Sequence, residues 1–234
     1  MTSTDQPARA MCAAVAPPMA PVPPRTRARR AEEDMVVEPR RRGAGAPGRG
    51  LGGLGRVAPM IRLKEHRPEW AAAFRVEAAR VLQEAGASLT AVEHIGSTAV
   101  PGLRAEPVLD LAARAAPGLD PRGLDAPLRL LGYAQHRTGP RNHDVHVRSA
   151  DGVRTHILHV FAADAWETCP QRLFRDRLLR DADARRRYDA CKAELAASAA
   201  DGRAYTAGKQ ALVEEIVNAE RADRGLPPVR VWDK

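Results

Sequence analysis

Cysteine is scarce in this chain: Cys12, Cys169 and Cys191 are three among 234 residues, with no close pair and no CxxC spacing. Neither a disulfide framework nor a cysteine zinc site is expected, and a reducing compartment, the cytoplasm, fits best. Aromatics make up only 4% of the residues, and no predicted strand interleaves them with basic side chains as a stacking surface for single-stranded nucleic acid would. Long apolar runs are missing as well. Met11–Ala16 is too short for a secretory h-region and is stopped by Pro17 and Pro18, and no other stretch approaches the length of a membrane span, so no membrane partner is expected. What is present is a hydrophobic fraction of 44%, enough to bury a core of ordinary size.

The net charge of +8 raises the question of nucleic acid until its location is counted. Residues 1–60 hold ten arginines against five acids, whereas residues 61–234 hold 27 basic against 24 acidic residues. The excess therefore belongs mainly to the N-terminal segment. That segment also carries nine of the 19 prolines and seven glycines, a composition that cannot offset the entropy of ordering. Residues 1–58 are expected to be a disordered Pro/Gly/Arg-rich tail, 59–226 the folded domain and 227–234 a C-terminal tail. Nucleic acid is an unlikely partner except through the basic segment, which is otherwise a passive extension.

From Met60 the pattern changes. Trp70, Phe74, Ala78, Val81, Leu82 and Ala85 recur at helical spacing and Gly86 ends the run. Leu89–Ile95 has strand length and stops at Gly96-Ser97, and a second strand is expected over Pro107–Ala113. Asp120-Pro121 reads as an N-cap followed by proline at the first helical position, with Pro127 keeping that helix short. Tyr133–Arg137, His143–Arg148 and Val153–Phe161 are candidate strands, the last two joined by a tight turn at Ser149–Gly152. Helical regions follow around Trp166–Leu178 and Tyr188–Leu195, and a last helix is predicted over Arg203–Arg224. This order argues for an α/β (α+β) core with a helical C-terminal lobe.

The most specific stretch is Glu93-His94-Ile95-Gly96-Ser97-Thr98-Ala99-Val100-Pro101-Gly102-Leu103, followed by Pro107-Val108-Leu109-Asp110-Leu111. With Thr155-His156-Ile157-Leu158-His159-Val160, Phe174-Arg175-Asp176, Tyr188, Lys192, Tyr205 and Lys209, it resembles the GrpB family over roughly Ile61–Arg224. The resemblance implies a nucleotidyltransferase-like fold, a mixed sheet flanked by helices, found in bacteria alone or fused to dephospho-CoA kinase. It implies no defined activity. Two positions depart from the pattern: Ala112 stands where a transferase strand of the acid-x-acid type has its second carboxylate, and Glu106 stands where the family usually has lysine.

Read for their chemistry, Gly96, Ser97 and Thr98 offer a phosphate cradle, since glycine admits close backbone approach and the amides and hydroxyls donate. The dipeptide is equally readable as a tight turn with a serine cap. Asp110 lies between Leu109 and Leu111, where an unpaired buried carboxylate is costly, so a cleft-facing position and a role as ligand to a divalent ion, Mg or Mn, are expected. His156 and His159 are the candidate acid/base groups, although three residues apart on one strand they point to opposite faces. Asp144 with His146, or His94 or His143, offer further ligands to combine with Asp110. Arg175 and Lys209 are candidate phosphate contacts. The expected function is a phosphate-handling protein of the nucleotidyltransferase-like kind with a small phosphorylated or nucleotide ligand; the alternative is a noncatalytic module binding a nucleotide or coenzyme A precursor.

Overall fold

The structure is a computed structural model that describes residues 61–137 and 139–231; the disorder expected for residues 1–58 lies outside them. Helix α1 (Glu69–Ala85) presents Trp70, Ala78, Val81 and Ala85 to the interior. It ends as expected at Gly86, whose φ of 54° lets its amide turn back to the Leu82 carbonyl. β1 (Leu89–Ile95) follows and runs into the Gly96 turn. β2 (Leu109–Ala115) begins two residues later than predicted, because Pro107 has no amide to donate and the Val108 amide is spent on the Glu106 carbonyl.

The Asp120 carboxylate caps the next segment by accepting from the Arg122 amide at 3.0 Å, and a 3₁₀ turn leads into the short α2 (Asp125–Leu130). β3 shrinks from the predicted five residues to two (Ala134–Gln135), since beyond it the Gly139 amide bonds to the His136 carbonyl and turns the chain away. β4 (Asp144–Ala150) and β5 (Val153–Phe161) form the predicted hairpin. Its two-residue turn has Asp151 and Gly152 at φ 51° and 75°, the doubly positive pair that matches strand twist.

The C-terminal helices are α3 (Pro170–Arg180), α4 (Ala182–Ser198), α5 (Gly202–Gly208) and α6 (Gln210–Asp223). The single helix predicted over Arg203–Arg224 is thus two, broken at Lys209. At the end of α5, Gly208 packs so closely on Leu195 of α4 that a side chain would collide with it. Residues 227–231 lie back along α6: Asn218 exchanges two hydrogen bonds with Val229, and Arg221 donates to the Pro227 carbonyl.

The five strands form one mixed sheet in the order β1-β2-β5-β4-β3, in which only β2 and β5 are parallel. One face is covered by α1 and α2 through Val81, Leu111, Leu128, Leu158 and Val160, all fully buried. On the other face Ile95, Ala112 and Phe161 pack under Trp166 and Cys169. The C-terminal helices close around Val100, Leu103, Phe174, Leu178, Tyr188, Ile216 and Val217. The α/β reading with helices flanking a mixed sheet holds. Among the described residues no helix is long and apolar enough to cross a membrane.

Candidate functional site

Neighbours in register point the same way, so the pairings sort the candidate residues by face. Asp110 on β2 pairs with Ile95 on β1 and Ile157 on β5, and one step along Ala112 pairs with Glu93 and His159. These side chains share the face away from α1. Against it lies a cleft of about 1080 Å³ whose walls come from the Gly96-Ser97 turn, β2, β5, the Ile61–Lys64 segment, and α3, α4 and α5 with Lys209.

Gly96 and Asp110 fit together as one unit. Gly96 has φ 70° and ψ −172°, and a Cβ built there would stand 2.9 Å from the Asp110 Cβ and 2.8 Å from its Cγ. The turn must be glycine because the carboxylate occupies the space a side chain would need. The Asp110 pKa is raised from 3.8 to about 7, chiefly by burial and in smaller part by Glu106, against the opposing pull of Lys209 and Arg154. Near neutrality the carboxyl is therefore poised between its two charge states.

Five cationic side chains line the cleft, Arg62, Lys64, Arg154, Lys192 and Lys209, against two carboxylates, Glu106 and Asp110. Lys192 is buried; its Nζ donates to the Arg104 carbonyl and lies 3.4 Å from Ser97 Oγ and 4.9 Å from the Tyr188 ring centre. Burial lowers its pKa to about 8, with Asp189 opposing the fall. Lys209 Nζ sits 3.9 Å from the centre of the Tyr205 ring, and burial lowers its pKa against the pull of Glu106 and Asp110. Ser97 is thus flanked by Lys192 and the aromatic wall.

Several sequence expectations are corrected. The Thr98 hydroxyl is committed internally: it donates to the Val108 carbonyl at 3.2 Å and lies 3.0 Å from His94 Nε2, leaving the residue buried. Arg175 does not line the cleft and is no phosphate clamp. Its guanidinium pairs with Asp176 at 2.6 Å and Glu93 at 2.8 Å and donates to the His94 carbonyl, tying α3 to β1.

His156 also falls away from Asp110. It lies on the α1 face, 2.8 Å from the Arg148 guanidinium and near Tyr133, beside a buried Glu77 that takes Arg148 and the Tyr133 hydroxyl. Period-two alternation puts His156 there and His159 in the cleft. Asp144 and His146 share a face, but the register makes it the α1 face, where they bond to each other at 2.9 Å. They cannot join Asp110. His94 stacks on Phe74 of α1, and burial lowers its pKa to about 4.

His159 does reach the cleft wall, and its Nδ1 is 2.8 Å from His143 Nε2. Burial and the neighbouring His143 lower its pKa to about 3, so it is neutral at physiological pH. Ala112, the position of a second strand acid, is fully buried beneath Trp166 and Cys169, so a carboxylate would have no water and no ion there. Among the described residues no group of three or more His, Cys, Asp or Glu is placed to hold a metal ion. The residues missed by sequence reading are Arg62, Lys64 and Arg154. The alternation of Val153, Thr155, Ile157 and His159 was a usable signal for β5, and Tyr188 and Lys192 at helical spacing were another.

Known proteins bear on this architecture in a consistent way. A UPF0157 protein of Pseudomonas aeruginosa is 35% identical over 181 residues, which cover 70% of this chain and 69% of the relative. A UPF0157 protein of Streptomyces coelicolor is 33% identical over 152 residues, 60% of this chain and 73% of the relative. The crystal structure of the conserved protein GrpB from Enterococcus faecalis aligns with a TM-score of 0.62 at 25% identity, covering 70% of this chain and 99% of that one. The family described as GrpB protein matches residues 60–219, from just before the cleft-lining Ile61 into α6, and this chain belongs to the GrpB family.

Proposed function

We propose that the cleft binds a small phosphorylated ligand of the nucleotide class and that the protein is a phosphate-handling member of the nucleotidyltransferase-like group. The observation that carries this reading is the charge of the lining: five cations against two carboxylates around a glycine turn, in a cleft roomy enough for a nucleotide. Ser97 and Lys192 at the turn and Lys209 across from Asp110 are the phosphate contacts. The Glu106 side chain, which as a lone substitution repels phosphate, is outnumbered there. Apolar and aromatic residues of the same cleft, Ile157, Phe174 and Tyr188, supply a surface for the rest of the ligand.

A divalent ion fits only in part. One strand carboxylate and a buried Ala112 do not make a two-metal cage, but Mg characteristically binds through one or two carboxylates together with ligand phosphates and water. Asp110 is the residue that would hold such an ion, supplying charge to a phosphate oxygen, and the ion would arrive with its ligand. The absence of a second acid on the Asp110 strand favours the second reading, a noncatalytic module that retains a nucleotide or coenzyme A precursor.

The test is a thermal-shift series with ATP, CTP, GTP, dephospho-coenzyme A and inorganic pyrophosphate, each with and without MgCl2. A ligand at a hundred times its Kd stabilises by about 2.7 kcal/mol. For a domain of this size that is a rise in Tm of roughly 5–11 °C. Lys209→Ala should abolish most of the shift. Asp110→Ala should remove the Mg-dependent part, and turnover lost in that variant would identify an enzyme. If every compound leaves wild type unshifted, or Lys209→Ala responds as wild type does, the phosphate reading fails.

A further inference from the structure

On the inner wall of the cleft, half-buried His159 is backed by a second, buried imidazole, and the hydrogen bonds of the pair run in one direction. His143, just ahead of β4, is buried and stacked on Phe161 with ring centres 4.4 Å apart. Its Nδ1 is 2.7 Å from the Asn142 side-chain oxygen, and its Nε2 is 2.8 Å from His159 Nδ1. The amide oxygen only accepts, so His143 Nδ1 must carry a proton. A neutral imidazole has a single N–H, which leaves His143 Nε2 as an acceptor and obliges His159 Nδ1 to be the donor. The proton of His159 is then spent, and its Nε2 holds a lone pair.

Two further observations say where that lone pair goes. Among the described residues Nε2 of His159 has no protein partner, yet it is not among the polar atoms sealed away without one, whereas Nδ1 of His146 on the opposite face is. His159 lines the cleft, on the same face as Asp110 and beside buried Ala112 in the register. Burial lowers the pKa of His143 to about 4 and that of His159 to about 3, so both rings stay neutral over the physiological range and the one-way chain persists.

We propose that His143 is a positioning residue that holds His159 in its Nδ1–H tautomer, so that an unprotonated Nε2 faces the cleft and accepts a hydrogen bond from a hydroxyl or water of the bound ligand. This rests on the phosphate reading of the cleft for the identity of the ligand, though not for the tautomer. It calls for a hydrogen-bond donor, a ligand hydroxyl or a water held by the ligand, beside the group held by the lysines. Asn142 and His143 thereby do for His159 what a second-layer acceptor does for a functional histidine elsewhere, fixing which nitrogen is free.

The test reads the tautomers directly by long-range proton–nitrogen correlation spectra of 15N-labelled full-length protein at pH 7. His143 and His159 should both show protonated Nδ1 and unprotonated Nε2. Finding His159 protonated at Nε2 in the wild type overturns the proposal. In His143→Phe, which keeps the stack on Phe161 but removes the acceptor, His159 should lose its fixed tautomer. Asn142→Ala, at an exposed position, should loosen the order at His143 without unfolding the protein, and an unchanged spectrum there would also refute the chain. With ATP and MgCl2 added, the His159 Nε2 resonance should shift while Nδ1 holds. A thermal shift without movement of Nε2 sinks the acceptor role alone, whereas no thermal shift at all sinks the ligand reading and leaves the tautomer result standing.

Discussion

Replacing Gly96 by alanine probes the unit on which the cleft is built. The backbone at φ 70° and ψ −172° lies in a region essentially restricted to glycine, and forcing another residue there costs about 1–3 kcal/mol. The new methyl also meets Asp110 Cβ and Cγ at under 3 Å, and relieving such an overlap in a packed strand costs roughly another 1–3 kcal/mol. Asp110 cannot move aside easily because β2 is paired on both edges, to β1 and β5. The expected loss is therefore the sum of both effects, read by urea denaturation with an unchanged m-value. The two contributions separate in a double-mutant cycle with Asp110→Gly, which removes every atom that the methyl strikes and leaves only the backbone strain. Gly96→Ala should then cost about 1–3 kcal/mol less in the Asp110→Gly background than in wild type. Equal costs in both backgrounds would refute the claim that the carboxylate dictates the glycine.

Other outcomes follow from the same geometry. Asp110→Asn should stabilise the free protein at pH 8 by up to about 4 kcal/mol and have little effect at pH 4: the folded pKa is raised from 3.8 to about 7, so between those values the unfolded chain gives up a proton that the fold keeps, and the cost is fully present above pH 7. Thermal melts at both pH values check the sign. The four histidines with folded pKa values lowered to about 4 or about 3, His94, His143, His156 and His159, act in the opposite sense. Below the unfolded value near 6.5 the unfolded chain takes up protons that the fold refuses, so stability should fall between pH 6.5 and pH 4 by up to about 1 kcal/mol per histidine per pH unit. A stability flat across that window would contradict the burial of these rings. Arg175→Ala should lower Tm, because Glu93 is left with Arg172 alone, Asp176 with Arg224 alone and the His94 carbonyl with no guanidinium donor, while leaving ligand affinity within about twofold; Lys209→Ala should leave Tm nearly unchanged and weaken the ligand. Titration calorimetry beside thermal melts distinguishes the two, and a large affinity loss in Arg175→Ala would restore it as a ligand contact.

Local physics made much of the fold legible before any coordinates. The Asp120 cap, the Gly86 stop and the Asp151-Gly152 turn are decided by residues within a few positions of each other. The β5 strand was bounded correctly by its turn and its apolar pattern, and the match from Glu93 to Leu111 together with the motifs downstream was enough to name the family. The long C-terminal helix predicted over Arg203–Arg224 is broken at Lys209, next to the place where Gly208 meets Leu195 on a different helix.

The candidate site divides along the same line. By itself the sequence determined that Gly96, Ser97 and Asp110 belong together and that His156 and His159 must part company, since strand alternation is a local rule. Only the tertiary structure decided which histidine joined Asp110, because that depends on β2 lying parallel to β5 across more than forty residues of chain. It also decided that Arg175, 82 positions from Glu93, is already paired and that Thr98 is spent on Val108. Charge availability is a property of what else packs nearby, and no periodicity in the chain encodes it. Lys209 was named from the sequence beside Arg175, but that Lys209 and Lys192 line one cleft with the glycine turn while Arg175 does not is decided only when the helices close over the sheet.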